Sequence, residues 1–204
     1  KNASLTFNFT DANLSALIVA DNSLLSDFTI NYNTDVQNTT TGVIHIIDNA
    51  SVTIQNMDIK VNSSDDNNVG FSAIRVRKAL LRGTNNISTN SRRNFGLSAI
   101  GPKCEVTVEG TLNVATQGAF AFGVYSSSLG TINFSSGSVY NFRNHTSGSG
   151  MAFLISSQGN VNVKQNAAMN FDSPYGFYLE GNTSPSSGGN TLNIETGVKI
   201  NSNS

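Results

Sequence analysis

Tryptophan is absent from this 204-residue chain, and cysteine, proline and charge are scarce, with one Cys, three Pro and 12% charged residues. Each scarcity excludes something. A single cysteine, Cys104, cannot close an internal disulfide, so the chain is not a small disulfide-stapled scaffold. Three prolines set among many β-branched residues do not make a mucin-like stalk. No sustained spacing at i, i+3, i+4 and i+7 marks an amphipathic helix. The nearest approach, "ANLSALIVA" at 12–20, is short and reads equally as a buried strand. No apolar run is long enough to span a bilayer as a helix. The opening "KNASLTFNFT" is already strand-like and carries no leader, so a domain of a longer exported protein is expected.

What the chain does contain is Asn, Ser, Thr and Gly in abundance. Apolar residues make up only 38%, which implies a thin core. About ten N-x-S/T sequons occur, among them Asn8, Asn62 and Asn144, as a chain rich in these residues yields by chance. Val, Ile, Leu and Phe recur in short triplets, and stacking the triplets gives three columns. The first holds "VIHII" 43–47, "FSAIRV" 71–76, "LSAI" 97–100, "FAFGV" 120–124, "MAFLI" 151–155 and "YGFYL" 175–179. The second holds "VTI" 52–54, "VTV" 106–108, "INF" 132–134, "VNV" 161–163 and "LNI" 192–194. The third holds "MDI" 57–59, "LNV" 112–114, "YNF" 140–142, "MNF" 169–171 and "VKI" 198–200. "ALL" 79–81 and "NIS" 86–88 fill one further rung.

Three short strands in fixed order, with polar loops of variable length between them, predict an all-β chain. It should form a single right-handed parallel β-helix, a solenoid of about seven turns. Residues 1–40 are less regular and read either as a cap or as the first turns. The near-repeat "GFSAI" 70–74 and "GLSAI" 96–100 reads as one corner of two successive turns. Gly70, Gly96, Gly118 and Gly150 are expected to bend the chain there through unusual backbone angles. Small residues in the same column (Ala73, Ala99, Ala121, Ala152, Gly176) imply a narrow interior or crowded corner.

The middle residue of each triplet points outward when its neighbours point in. These are Thr53, Thr107, Asn133, Asn162 and Asn193 in the second column. In the third they include Asp58, Asn113, Asn141, Asn170 and Lys199. Such rows form either a structural hydrogen-bonded ladder or a polar comb for sugar. Outward Thr is too irregular to match ice.

Charge is lopsided although its net value is −1. Residues 67–104 contain no Asp or Glu but hold Arg75, Arg77, Lys78, Arg82, Arg92, Arg93 and Lys103. If Ile74 and Val76 face inward, Arg75 and Arg77 share an outer face, about 6.6 Å apart. Guanidinium forks suit carboxylate and sulfate, so these seven residues are the candidate site for an acidic glycan. The alternative is a solvated patch balanced by acids such as Asp65 and Asp66. Aromatic residues are not interleaved with these arginines and the chain is not basic overall, so nucleic acid is not an expected partner.

A catalytic set is not visible. Asp65 and Asp66 form a pair, yet no matching acid stands on the following turns. A lyase would need several carboxylates for calcium beside its Arg base. His45 and His145 stand alone, and Cys104 reads as half-buried and unreactive. No metal or cofactor is implied.

The turns "GLSAI…VTVEGTLNV" and "GMAFLI…VNVKQNAAMNF" resemble the pectate-lyase-like adhesive domain of Gram-positive surface proteins, over about 43–204. The resemblance implies a module of a cell-surface protein, exported and wall-attached through other segments. It also implies a lyase-like shape without catalysis, and partners among host or plant glycans and epithelial or mucus surfaces. Two rivals stand beside this expectation. One is a lyase or hydrolase of pectin-like polymers. The other is a self-associating module that drives bacterial aggregation.

Overall fold

The computed structural model describes residues 3–36, 41–47, 50–63, 71–90, 94–144, 150–181 and 188–203. Gly70 therefore lies outside the described residues, as do Asp65, Asp66, Arg92, Arg93 and His145. The chain is a parallel β-helix with no helix among the described residues. Sheet A has eight strands, from Ala3–Phe9 to Lys199–Asn203. Sheet B has seven, from Leu17–Val19 to Tyr175–Leu179, and sheet C seven, from Ser23–Ser26 to Thr191–Ile194. Seven strands make six steps, about 29 Å along the axis at the usual interstrand spacing, and sheet A adds one rung.

The three sequence columns are these sheets. The first column lies in sheet B, the second in C and the third in A; "ALL" and "NIS" take their places in C and A. The irregular first segment supplies Ala3–Phe9, Leu17–Val19, Ser23–Ser26 and Phe28–Thr34, which join the same three sheets. The ambiguous stretch 12–20 contributes a strand, not a helix. "FAFGV" is displaced: its strand begins at Phe122 and runs to Ser127.

Alternation explains sheets A and C. In "TLNVAT" 111–116, Leu112 and Val114 are buried while Asn113 between them is half-exposed. Each such aliphatic side chain contributes about 1.5–3 kcal/mol on burial. Aliphatic residues such as Ile44, Ile54 and Ile74 fill the N-terminal half of the core. Rings are buried in both halves, Tyr32 against Phe71 at 5.3 Å, and cluster most densely toward the C-terminal end, where Phe153 lies 4.8 Å from Phe177 and 5.0 Å from Tyr140.

Outward asparagines in sheet A form a continuous axial ladder. Asn86 Nδ2 donates to Asp58 Oδ1 at 2.6 Å, and Asn113 donates to Asn86 at 2.7 Å. Asn141 donates to Asn113 at 2.6 Å, Asn170 to Asn141 at 2.7 Å, and Asn201 to Asn170 at 2.7 Å. The last rung corrects the expectation for Lys199, which pairs with Ala168 and stands one column aside. A shorter ladder in sheet C links Asn193 to Asn162 and Asn162 to Asn133, both at 2.8 Å. Asn133 donates to Glu105 rather than to Thr107, its neighbour in register. These amides are partnered along the rod, as a structural ladder requires.

Sheet B breaks the alternation. In Phe122–Ser127 both Gly123 and Val124 are buried, and Phe122 and Tyr125 flank them on the outside. Two consecutive inward residues fold the strand toward the core, as a bulge does. The first inward position must then be small: a Cβ on Gly123 would collide with the Tyr140 hydroxyl, and one on Gly96 with Val114. Gly96 is therefore set by close packing rather than by backbone angle. Among the described residues Gly118 and Gly150 are not left-handed either. The near-repeat is also out of register. Leu97 stands opposite Ile74, so "GLSAI" is shifted by three residues from "GFSAI". Their serines nevertheless meet, Ser72 Oγ to Ser98 Oγ at 2.6 Å, because the bend brings outer residues three apart together.

Candidate binding face

On the outer face of sheet B a cleft of about 380 Å³ is lined by His45, Arg75, Arg77, Ile100, Pro102 and Cys104. Strand Gly42–Ile46 supplies His45 and strand Ser72–Val76 supplies Arg75, directly opposite in register. Ile74 and Val76 are buried, which turns Arg75 outward, and Arg77 follows at the corner. The far wall is the turn Gly101–Cys104, where Gly101 has φ 116° and Lys103 φ 66°.

Arg75 is half-buried, and among the described residues it has no ion-pair partner. Burial lowers its pKa from the ordinary value, with Cys104 and Tyr125 opposing that shift, and a guanidinium stays charged across the working pH range. Cys104 donates its thiol proton to the Ile100 carbonyl at 3.1 Å, and burial raises its pKa. Burial, and then the charge of Arg75, lower the pKa of His45.

The His45 shift has a measurable consequence. The unfolded imidazole takes up a proton near 6.5, whereas the folded one resists until lower pH. Its contribution to stability is thus fully present above pH 6.5 and is lost as pH falls through the lowered folded value. Melting temperature should drop between pH 7.5 and 5, and His45→Gln should flatten that part of the slope. An unchanged slope in the variant would show that His45 is not held neutral.

The seven predicted basic residues divide. Arg75 and Arg77 converge on the cleft, and Lys103 stands on the turn that walls it. Lys78 begins the sheet C strand Lys78–Arg82, opposite Ser51 and Glu105. Arg82, at the far end of that strand, is ion-paired with Glu109 at 2.8 Å. The guanidinium groups thus do not share one wall. Arg92 and Arg93 are among the residues not described.

Sequence reasoning missed the continuation of this face. From Arg75 the outward row runs in register through Ser98, Tyr125 and Leu154 to Tyr178. A parallel row runs from Ser72 through Phe95, Phe122 and Met151 to Tyr175. Phe95 stacks on Tyr125 at 4.4 Å and on Phe122 at 5.2 Å. The signal is present in the sequence as a tetrad: "FGVY" 122–125, "MAFL" 151–154 and "YGFY" 175–178 each place a small residue after the first outward one.

A second, shallow trough of about 580 Å³ lies over sheet A, floored by the ladder residues Asn86, Asn113, Asn141 and Asn170. Of the charges lining it, Arg143 and Asp172 form an ion pair at 3.1 Å, and Asp58 accepts from Asn86. Among the described residues no cluster of three or more His, Cys, Asp or Glu could hold a metal ion.

These features define a parallel β-helix bearing on one sheet a cationic cleft with no ion pair among the described residues. No family model, curated protein or solved structure matches the chain.

Proposed function

We propose that this chain is a non-catalytic surface module that captures an acidic glycan on the outer face of sheet B. One observation carries the reading: Arg75 is half-buried, faces a cleft beside Arg77, and has no carboxylate partner among the described residues. A guanidinium held on a rigid sheet with no carboxylate among the described residues favours an anionic ligand, and its planar fork selects carboxylate or sulfate. Burial and the charge of Arg75 lower the pKa of the neighbouring His45, which favours the uncharged imidazole, a hydrogen-bonding group beside the anion.

Polygalacturonate is a direct probe. Arg75→Ala with Arg77→Ala should weaken its binding by about ten-fold or more, the cost of losing charged hydrogen bonds. Binding by the native chain should also fall as salt rises. Equal affinity in the double variant overturns the site. Release of unsaturated or reducing ends from the polymer overturns the non-catalytic reading.

A further inference from the structure

We infer that the ligand of this face is an acid-tipped neutral glycan, with its anionic sugar in the Arg75 cleft and its uncharged stem lying along the apolar rows of sheet B. The inference rests on the cleft being the acidic-glycan site proposed above. The face is graded along the rod. Among the described residues of its two outward rows, charge stands at the Arg75 end beside Arg77, and beyond Ser98 the outward residues are Tyr125, Leu154 and Tyr178 beside Phe122, Met151 and Tyr175.

That second part is a poor seat for a uniform polyanion, because each further carboxylate would lose water with no cation to receive it. It is a good seat for the C–H faces of neutral sugars, which need apolar and aromatic contact together with occasional hydroxyl partners. Tyr175 and Tyr178 suit this role: they are 52% and 45% exposed, and among the described residues neither ring stacks on another. In register the rows lead back to the cleft through Ser98, opposite Arg75, and Ser72; both serines are fully buried and bond to each other at 2.6 Å, so the stem passes over them without contact. From Arg75 to Tyr178 the face covers four interstrand steps, about 19 Å. The two rows run side by side along the axis on successive strands.

Three probes separate the parts: a neutral oligosaccharide long enough to span the rows and carrying one terminal uronate, its uncharged parent, and the uronate monosaccharide alone. The acid-tipped chain should bind about ten-fold tighter than either of the others, as one further apolar contact of ordinary strength gives. Tyr175→Ala with Tyr178→Ala should reduce it to the level of the monosaccharide while leaving monosaccharide binding unchanged. Arg75→Ala with Arg77→Ala should reduce it to the level of the uncharged parent. If the arginine variant loses binding but the tyrosine variant matches the native chain, the stem subsite is wrong and the acidic cleft stands. If the arginine variant matches the native chain on every probe, the cleft reading itself is wrong.

Discussion

Gly123→Ala should destabilise the solenoid by about 3 kcal/mol, at the upper end of overpacking costs. The added methyl points at the Tyr140 hydroxyl and also meets Phe142 Cδ2 at 2.7 Å and the Ala152 carbonyl at 2.8 Å. Tyr140 cannot swing aside. It is fully buried, its hydroxyl donates to Ala152 O at 2.9 Å, and burial holds that hydroxyl protonated by raising its pKa. At an ordinary strand position the same substitution would be neutral or stabilising, since alanine restricts the unfolded chain. The sign of the effect therefore tests the inward direction of this residue. Tyr140→Phe removes the obstructing oxygen and leaves the Ala152 carbonyl without that donor, at about 1–3 kcal/mol. In the double variant the losses should be less than additive, because one clash is deleted along with the bond. Chemical denaturation of the four proteins measures the coupling; additive losses would mean that Gly123 and Tyr140 do not meet.

The second large effect is expected at Phe153→Ala, about 3–5 kcal/mol. Phe153 is fully buried and its ring touches Phe134, Tyr140, Phe171 and Phe177, with centroids 4.8–5.8 Å apart. Such a cost is a large share of the stability of an ordinary domain. In a solenoid each turn contacts only its neighbours, so damage stays local. Amide exchange should accelerate first in the strands Ala168–Asp172, Tyr175–Leu179 and Thr191–Ile194, before Gly42–Ile46 is affected. Uniform acceleration along the rod would show a single cooperative unit instead.

Sheets A and C were legible in the sequence because strict alternation holds there: "VNV" 161–163 and "MNF" 169–171 bury their outer letters and expose the middle one. Sheet B was legible as a column but not in register. Two adjacent buried residues defeat a period-two reading, so the stretch "FAFGV" does not reveal that Phe122 lies outside. The echo at 70–74 and 96–100 misled for the same reason, since similarity of letters does not fix which Cα atoms stand opposite. The candidate site was half-visible. Acid depletion between 67 and 104 pointed to Arg75 and Arg77. It could not show that Arg82 is neutralised by Glu109, which lies in the next turn and beyond the depleted stretch. Strands at 3–34 were legible only as possible first turns, because their burial pattern is weaker: inward Leu17 and Val19 are only half-buried and outward Ile18 is itself apolar.

The sheet A ladder has a direction. Every amide from Asn86 to Asn201 donates toward the preceding turn, so its small dipoles align and add along the axis, positive pole toward Asp58. The Asp58 carboxylate terminates the row as an acid terminates a helix at its amino end, giving the first amide an anion to point at. Reversing a single interior amide would oppose hydrogen to hydrogen on one side and oxygen to oxygen on the other. The row therefore acts as a polarised wire in which each asparagine enforces the orientation of the next.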